Sequence, residues 1–476
     1  MITAILDKSS SVPLYEQLYR EIRTRIESGE FKAGEKLPSK RKLAQHLGIS
    51  QLTVQNTYTQ LVAEGYVYAI PKSGYYAEAI EPVPAVQEEP LSTFSDRPTD
   101  FPCCQYDFAT NAVDPDAFPF ATWAHIARQV LREHAGILNA SHPQGLPALR
   151  EEIVRYLYRF RGIRTSPEQI VLGAGSEALF AILIPLLGRT SIFALEDPGY
   201  RKIGQILEDH NVSSVPIPLD ADGMQLSELR KSGASVAHIS PSHQFPTGIV
   251  MPVSRRLALL KWAGEAPGRY IIESDYDSEF RFCGNPLPAC RSLEGSGRVI
   301  YLNTFTKSLA PSLRISYMVL PPELLTLYRN RYLRYACTVP SFEQAILCEF
   351  LHNGMFERHL NRMCKLYRKK RDLLIAAIQG SPLSSHIEIA ESNAGLHLLL
   401  RVQIGLHEQE LVSAASACGV RIRGISEYYR SSAPDDLSPT LVIGYSGMPT
   451  ETLSAAVETL IRAWMFACAQ KKLTRL

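Results

Sequence analysis

The stretch VIYLNTFTKSLAPSLRISYMVLP, residues 299–321, carries the reading from which the fold follows. An apolar run ends in Thr304-Phe305-Thr306-Lys307, which sets a primary amine at the mouth of a strand, and Arg314 comes seven residues later. Most lysines after a strand are solvated. Burial or neighbouring charge that lowers the pKa turns such a lysine into a nucleophile able to form a Schiff base. An arginine nearby suits a phosphate. The pair gains meaning only if the rest of the chain supplies partners.

Working outward, apolar runs alternate with amphipathic helices from about residue 150. Strands are predicted at 169–175, 191–197, 235–240, 269–276, 298–305 and 314–320, with helices such as 176–187 and 254–264 between them. This alternation predicts a mostly parallel α/β sheet, and ligands of such sheets bind beyond the carboxyl ends of the strands. Four of those ends are suggestive: Gly173-Ala174-Gly175-Ser176 before a helix, Asp197-Pro198-Gly199-Tyr200, Ser242 to Gly248, and Glu273 to Phe280. The first suits a phosphate at a helix N-terminus. Singly, each is ordinary turn chemistry; their joint order ahead of Lys307 and Arg314 gives them weight. From about 340 the pattern changes to a long helical stretch (342–379), short strands at 386–391, 395–402, 420–423 and 440–445, and a helix at 450–469. A smaller α+β subdomain is expected there.

Residues 1–77 read differently. Leu14, Leu18, Ile22 and Ile26 recur at helical spacing. Ser39 is placed to cap a helix carrying Leu43, Ala44 and Leu47 inward, Gly48 ends it, and Ser50 caps another with Val54, Tyr58, Leu61 and Val62 on one face. Two short helices about a glycine turn form a helix-turn-helix. Gly65 to Tyr68 and Gly74 to Tyr76, around Pro71-Lys72-Ser73, read as a two-stranded wing. The segment holds ten Lys/Arg against seven Asp/Glu, with Lys36, Lys40, Arg41 and Lys42 clustered where phosphates would lie. Residues 78–104 follow with five prolines and one Arg against six Asp/Glu, an extended acidic linker.

Composition bounds the rest. The 476 residues exceed one ordinary domain, and a net charge of +2 gives no global electrostatic case for nucleic acid or membrane. Nine scattered cysteines without zinc-type spacing fit buried thiols in a reducing compartment. Neither a signal peptide nor an 18-residue apolar run is found, so a soluble cytoplasmic protein without membrane contact is expected.

The LPSKRKLAQHLGISQLTVQNTYTQLVAEG string (37–65) closely resembles the winged helix-turn-helix of the GntR family. The HQFPTG (243–248), YDSEF (276–280) and TKSLAPSLR (306–314) strings place residues 105–476 beside fold-type I aminotransferase domains that bind pyridoxal 5′-phosphate (PLP). The join resembles the MocR family of transcriptional regulators. The implied architecture is a winged helix-turn-helix plus an α/β fold-type I PLP-dependent aminotransferase-like domain with a smaller α+β subdomain. The resemblance implies DNA contact by Lys40, Arg41, Gln51, Thr53, Gln55, Ser73 and Gly74. It makes Lys307 the Schiff-base lysine and Arg314 the phosphate anchor. Ala174, Gly175 and Ser176 become helix-terminus donors, and Thr304 and Thr306 hydroxyl donors. Tyr276 is implied on the phenolic oxygen, and Tyr200 and His243 beside the ring. A head-to-tail homodimer with swapped DNA modules is implied as well.

Departures from the family pattern carry information too. Gln51 and Gln55 stand where arginines are common, and glutamine pairs with adenine, so an A·T-leaning operator is expected. Relatives carry Asp at the pyridine-nitrogen position; here it is Ser274, with Asp275 next. Strand alternation puts 274 and 276 on one face, so Asp275 reaches the nitrogen only through a bulge. No arginine stands in the late strand around Leu441 to Gly444, and Ala140-Ser141-His142-Pro143 replaces a Tyr-Gly-Asp-Pro string. Lys202, Arg421, Arg423 and Arg430 are the substitutes considered for an effector carboxylate. The expected role is that of a regulator sensing PLP or a PLP–amine adduct. The alternative is an active aminotransferase with an appended DNA-binding domain. A DNA-binding protein with a vestigial second domain is disfavoured by the presence of both Lys307 and Arg314.

Overall fold

The computed structural model describes residues 2, 6–8, 10, 12–80, 104–109, 112–133, 135–139, 142–282, 287–390, 394–434 and 436–473. The proline-rich acidic stretch from 81 to 103, with Cys103, lies outside the described residues, as do Ala140 and Ser141. The chain divides into two compact units, Met1–Asp100 and Phe101–Leu476.

The first unit is built from helices Leu14–Glu27, Lys40–Leu47 and Gln51–Ala63 and the antiparallel hairpin Val67–Ile70/Gly74–Ala77. Ser39 accepts the Lys42 N–H and Ser50 the Thr53 N–H, caps that typically stabilise by about 1 kcal/mol each. Gly48, at φ 63°, closes the second helix in the left-handed conformation that glycine adopts without strain. Leu18, Ile22, Leu43, Val54, Tyr58 and Leu61 are buried together. Val62, expected inside, is exposed; buried Thr57 shares the inward face with Val54, Tyr58 and Leu61 and ties its hydroxyl to the Tyr15 carbonyl at 2.9 Å.

The second unit is organised by an eight-stranded mixed sheet. Its order is Ile170–Gly173, Ser316–Val319, Val299–Thr304, Tyr270–Ser274, Val236–Ile239, Phe193–Asp197, Ser214–Asp220 and Gly223–Met224. Ser316–Val319 runs antiparallel to both neighbours, so the chain returns beside the lysine strand instead of crossing over. Separate apolar clusters built on Leu172, Tyr301 and Tyr317 and on Val171, Ile272 and Ile300 bury alternate residues of these strands.

The C-terminal part departs from expectation in two ways. The 342–379 stretch is two helices, Ser341–His352 and Met355–Gln379, broken at Gly354 (φ 65°). Leu347 and Phe350 of the first pack with Ile126 and Ile153 of the upstream helices, so it belongs with the large sheet's layer. The 420–423 strand is also divided: Val420–Arg421 pairs in parallel with Tyr106–Asp107, and Arg423–Gly424 joins a four-stranded antiparallel sheet. Phe108, Phe280 and Phe282 enter that smaller core, which is thus not made of C-terminal residues alone. No helix among the described residues is long and apolar enough to cross a membrane, and no cluster there fits a metal ion. No disulfide joins the described cysteines.

Candidate functional site

In the first unit, Lys36, Arg41 and Lys42 are exposed and Lys40 partly so, beside the wing. The Lys36 and Lys40 ammonium groups lie 5.7 and 5.9 Å from the ring centroids of Tyr76 and Tyr75, which orients the basic cluster against the hairpin. Gln51 and Gln55 are solvent-exposed on the third helix, one turn apart. Thr53 is less available than expected: its N–H and hydroxyl are both bonded to Ser50, so it serves the helix cap. Ser73 is exposed at the wing tip, its hydroxyl 2.6 Å from that of Tyr76, and Gly74 leaves room for the Lys36 stem.

In the second unit, a cavity of about 230 Å³ opens at the carboxyl ends of the central strands. Lys307 lines it. Burial pulls its pKa down from the usual lysine range to about 8, against an opposing pull from Asp277. Desolvation disfavours the ammonium form, so roughly a tenth to a fifth of this amine is neutral near physiological pH, far more than for a solvated lysine, as a carbonyl-capturing lysine requires. Thr304, Thr306 and Ser316 line the same wall: Ser316 and Thr306 hydroxyls lie 2.8 and 2.7 Å from Thr304 Oγ1.

Arg314 adopts φ 51° and swings its guanidinium over the start of helix Ser176–Leu187. It donates to the Ala174 carbonyl at 3.2 Å and to Glu177 at 2.8 Å. A Cβ at Gly175 would run into this guanidinium, which explains the glycine. The helix leaves the Ser176, Glu177 and Ala178 N–H groups without intrahelical carbonyls, a cradle for an anion. Two of the expected donors are corrected. Ala174 N–H is engaged by Thr338 Oγ1 at 2.9 Å, and Gly175 N–H by the Gly173 carbonyl at 2.8 Å, because the turn closes on itself before the helix begins. Glu177 was missed by the sequence reading. Burial pushes its carboxyl up, but Lys202, its own N–H and Arg314 outweigh this and hold it at about 2. Lys202 pairs directly with Glu177, so both cations are balanced by one carboxylate.

Ser274 faces the cavity, in register with Leu302, and its Oγ lies 2.8 Å from Nε2 of His238. Asp275 points away. Its Oδ2 accepts from Tyr301 OH at 2.6 Å and lies 2.7 Å from Arg161 Nε, an ion pair and not an aligned hydrogen bond. The strand keeps its ladder here, with Asp275 N–H on the Leu302 carbonyl, so there is no bulge to bring the carboxylate round. Tyr276 returns to the cavity, its hydroxyl 3.3 Å from His243 Nδ1.

His243 is also corrected. It is buried behind Tyr276, 2.9 Å from Asp277 and tilted at 45° against the His397 ring, and is not among the cavity-lining residues. Phe245, two residues on, reaches the wall beside Tyr200. The effector candidates do not converge. Lys202 lines the cavity. Arg423 is exposed on the small sheet, Arg430 is paired with Glu208 at 2.7 Å, and Arg421 is paired with Asp107. Each of the last two is held by a nearby carboxylate.

Residues 14–76 match the bacterial regulatory proteins of the gntR family, and residues 105–460 match aminotransferase class I and II. Relatives named as HTH-type regulators align with the chain across both matched regions. The chain is 38% identical to the uncharacterized HTH-type transcriptional regulator YdeL of Bacillus subtilis, over 97% of this chain and 99% of that one. It is 32% identical to the probable rhizopine catabolism regulatory protein MocR of Rhizobium meliloti, over 97% and 96%. The chain is a MocR-type transcriptional regulator. Among solved structures, this regulator resembles the α-aminoadipate aminotransferase LysN of Thermus thermophilus, described as complexed with N-(5′-phosphopyridoxyl)-L-leucine. The match has 25% identity and a TM-score of 0.66 over 76% of this chain and 93% of that one. The aminotransferase-like unit thus has the fold of PLP-dependent enzymes, and the residues present fit the group: a partly neutral amine, an anion cradle and a phenol on one cavity.

Proposed function

We propose that this regulator binds operator DNA through residues 1–77 and senses PLP, or a PLP–amine adduct, in the Lys307 cavity. The observation that carries the reading is the pairing of a buried amine of lowered pKa with an anion cradle, in a cavity whose ring-facing strand offers Ser274 and no carboxylate. PLP when bound supplies an electrophilic carbonyl and an electron-withdrawing ring. Lys307 would hold the carbonyl carbon, and Arg314 with the Ser176 and Ala178 N–H groups the phosphate. Tyr276 would donate to the phenolic oxygen, and Thr304 and Thr306 would steady the Lys307 turn.

Turnover is disfavoured by the same wall. Without a carboxylate, ring protonation is not stabilised, and strand Thr440–Gly444 is buried along its length with no arginine for a substrate carboxylate. Binding shifts DNA affinity only if the ligand distinguishes two arrangements of the modules. We read the active assembly as a cytoplasmic head-to-tail homodimer with swapped DNA modules, the 78–104 linker tethering each DNA module to its own sensing domain.

The test is an absorbance titration with PLP, then with candidate amines, on wild type and Lys307→Ala. A visible band that depends on Lys307 is expected, and operator affinity should change with PLP only in wild type. No band in wild type sinks the reading. On the DNA side, Gln51→Ala is expected to relax one base position, worth about 1–3 kcal/mol of discrimination. Uniform weakening across operator variants, read by mobility shift, would refute the adenine assignment.

A further inference from the structure

We propose that His238 and Ser274 form a hydrogen-bond relay that holds the ring nitrogen of bound PLP unprotonated. This rests on reading the cavity as a PLP site. Both residues lie on the cavity wall, on adjacent parallel strands, Val236–Ile239 and Tyr270–Ser274. Register pairs His238 with Ile272, two residues before Ser274, so the two side chains share one face. Nε2 and Oγ meet at 2.8 Å.

The nitrogen of PLP lies para to the carbon bearing its aldehyde. A ring tethered through its aldehyde carbon at Lys307 and by its phosphate arm at Arg314 would turn its nitrogen toward the wall of Ser274 and His238.

The charges around that wall decide the protonation state. Two acidic residues line the cavity. Glu177 is held by Arg314 and Lys202 at the anion cradle. Asp275 faces the opposite side, with Arg161 and Tyr301. Glu196 shares a small neighbouring cavity with His238, and burial raises its carboxyl to about 8, so it is largely uncharged near neutrality. His238 packs edge-on against Phe180, and burial lowers it to about 4, so it is neutral too. A pyridinium there would be a buried cation with no carboxylate of the facing wall to balance it, in a cavity that also holds Lys307 and Arg314. The unprotonated nitrogen needs only a donor. Nε2–H of His238 donates to Ser274 Oγ, and the serine hydroxyl donates to the nitrogen. His238 is therefore a positioning residue, setting the direction of the serine proton. A ring held in this state withdraws electrons weakly, so bound ligand persists, which suits a reporter more than a catalyst.

The full-length protein is loaded with PLP carrying ¹⁵N at the ring nitrogen, and the nitrogen resonance is recorded. Wild type is expected at the unprotonated, hydrogen-bonded position. His238→Phe should move the resonance toward that of a pyridine without a donor and weaken PLP binding by up to about tenfold. Ser274→Asp should move it to the protonated position. A protonated nitrogen in wild type overturns the proposal and leaves the cofactor reading standing. An unchanged resonance in folded His238→Phe removes His238 from the relay. Failure of wild type to take up PLP overturns both.

Discussion

Asp275→Ala destabilises the protein by about 3–5 kcal/mol, and the folded fraction binds PLP almost as wild type does. Asp275 is fully buried, and the Arg161 side chain is 5% exposed. Burial alone would lower the Arg161 pKa; Asp275, followed by Tyr301 and Glu273, reverses this and raises it. Removing the carboxylate leaves a guanidinium in the interior with neutral hydroxyl neighbours, Ser242 at 2.9 Å and Tyr301, in place of its counter-charge, and takes from the Tyr301 hydroxyl its carboxylate acceptor. An uncompensated buried charge is among the few causes of a loss this large. Denaturant unfolding of the protein without cofactor reads the first half of the result, and a PLP titration the second. The opposite pattern, normal stability with lost PLP affinity, would mean that Asp275 serves the ring nitrogen after all. Ser274→Ala provides the contrast, since it breaks no ion pair and should cost only the loss of the His238 hydrogen bond, about 1–2 kcal/mol.

The Asp275 case shows how far alternation carries. The Glu-Ser-Asp-Tyr string told which residue faces the cavity, because side-chain direction has period two and the strand has no bulge. It did not tell what Asp275 does, since Arg161 lies more than a hundred residues earlier, on helix Pro147–Arg161. Lys307 and Arg314 were legible as a local string. Glu177 was not, because its role arises only when Arg314 and Lys202 arrive from elsewhere. His238 left a readable trace that went unused: His238 and Ser240 are polar at every second position of an otherwise apolar strand, and both line the cavity. His243 misled because its string is a family signature, and a signature residue can support a site from behind, as His243 does through Tyr276. At fold level, Ser214–Asp220 was missed because Pro216 and Pro218 argue against a strand. Residues two apart direct their N–H groups to the same side, so the two prolines leave one side of the strand short of donors. On the outer side its neighbour is only the two-residue Gly223–Met224. The 420–423 run was read as one strand because pairing partners, not propensity, divide it between two sheets.

Capture of PLP by Lys307 accelerates roughly fiftyfold between pH 6 and pH 8 and flattens by about pH 9, as follows for an amine titrating near 8. The nucleophile is the neutral amine, so the rate follows the fraction that has lost its proton. With the pKa at about 8, roughly one per cent is neutral at pH 6 and about half at pH 8. An unburied lysine near 10.4 would keep gaining tenfold per unit through pH 9. Burial is the larger influence and lowers the pKa; Asp277 opposes it. The two are separable. Asp277→Asn removes the opposing charge, so the midpoint moves to lower pH and capture at pH 6 becomes faster, the reverse of what loss of a general base would do. Stopped-flow absorbance after mixing protein with PLP reads the rate directly. A rate still climbing tenfold per unit at pH 9, or an Asp277→Asn midpoint displaced upward, would place the Lys307 amine in water and remove the physical reason for choosing it over the chain's other lysines.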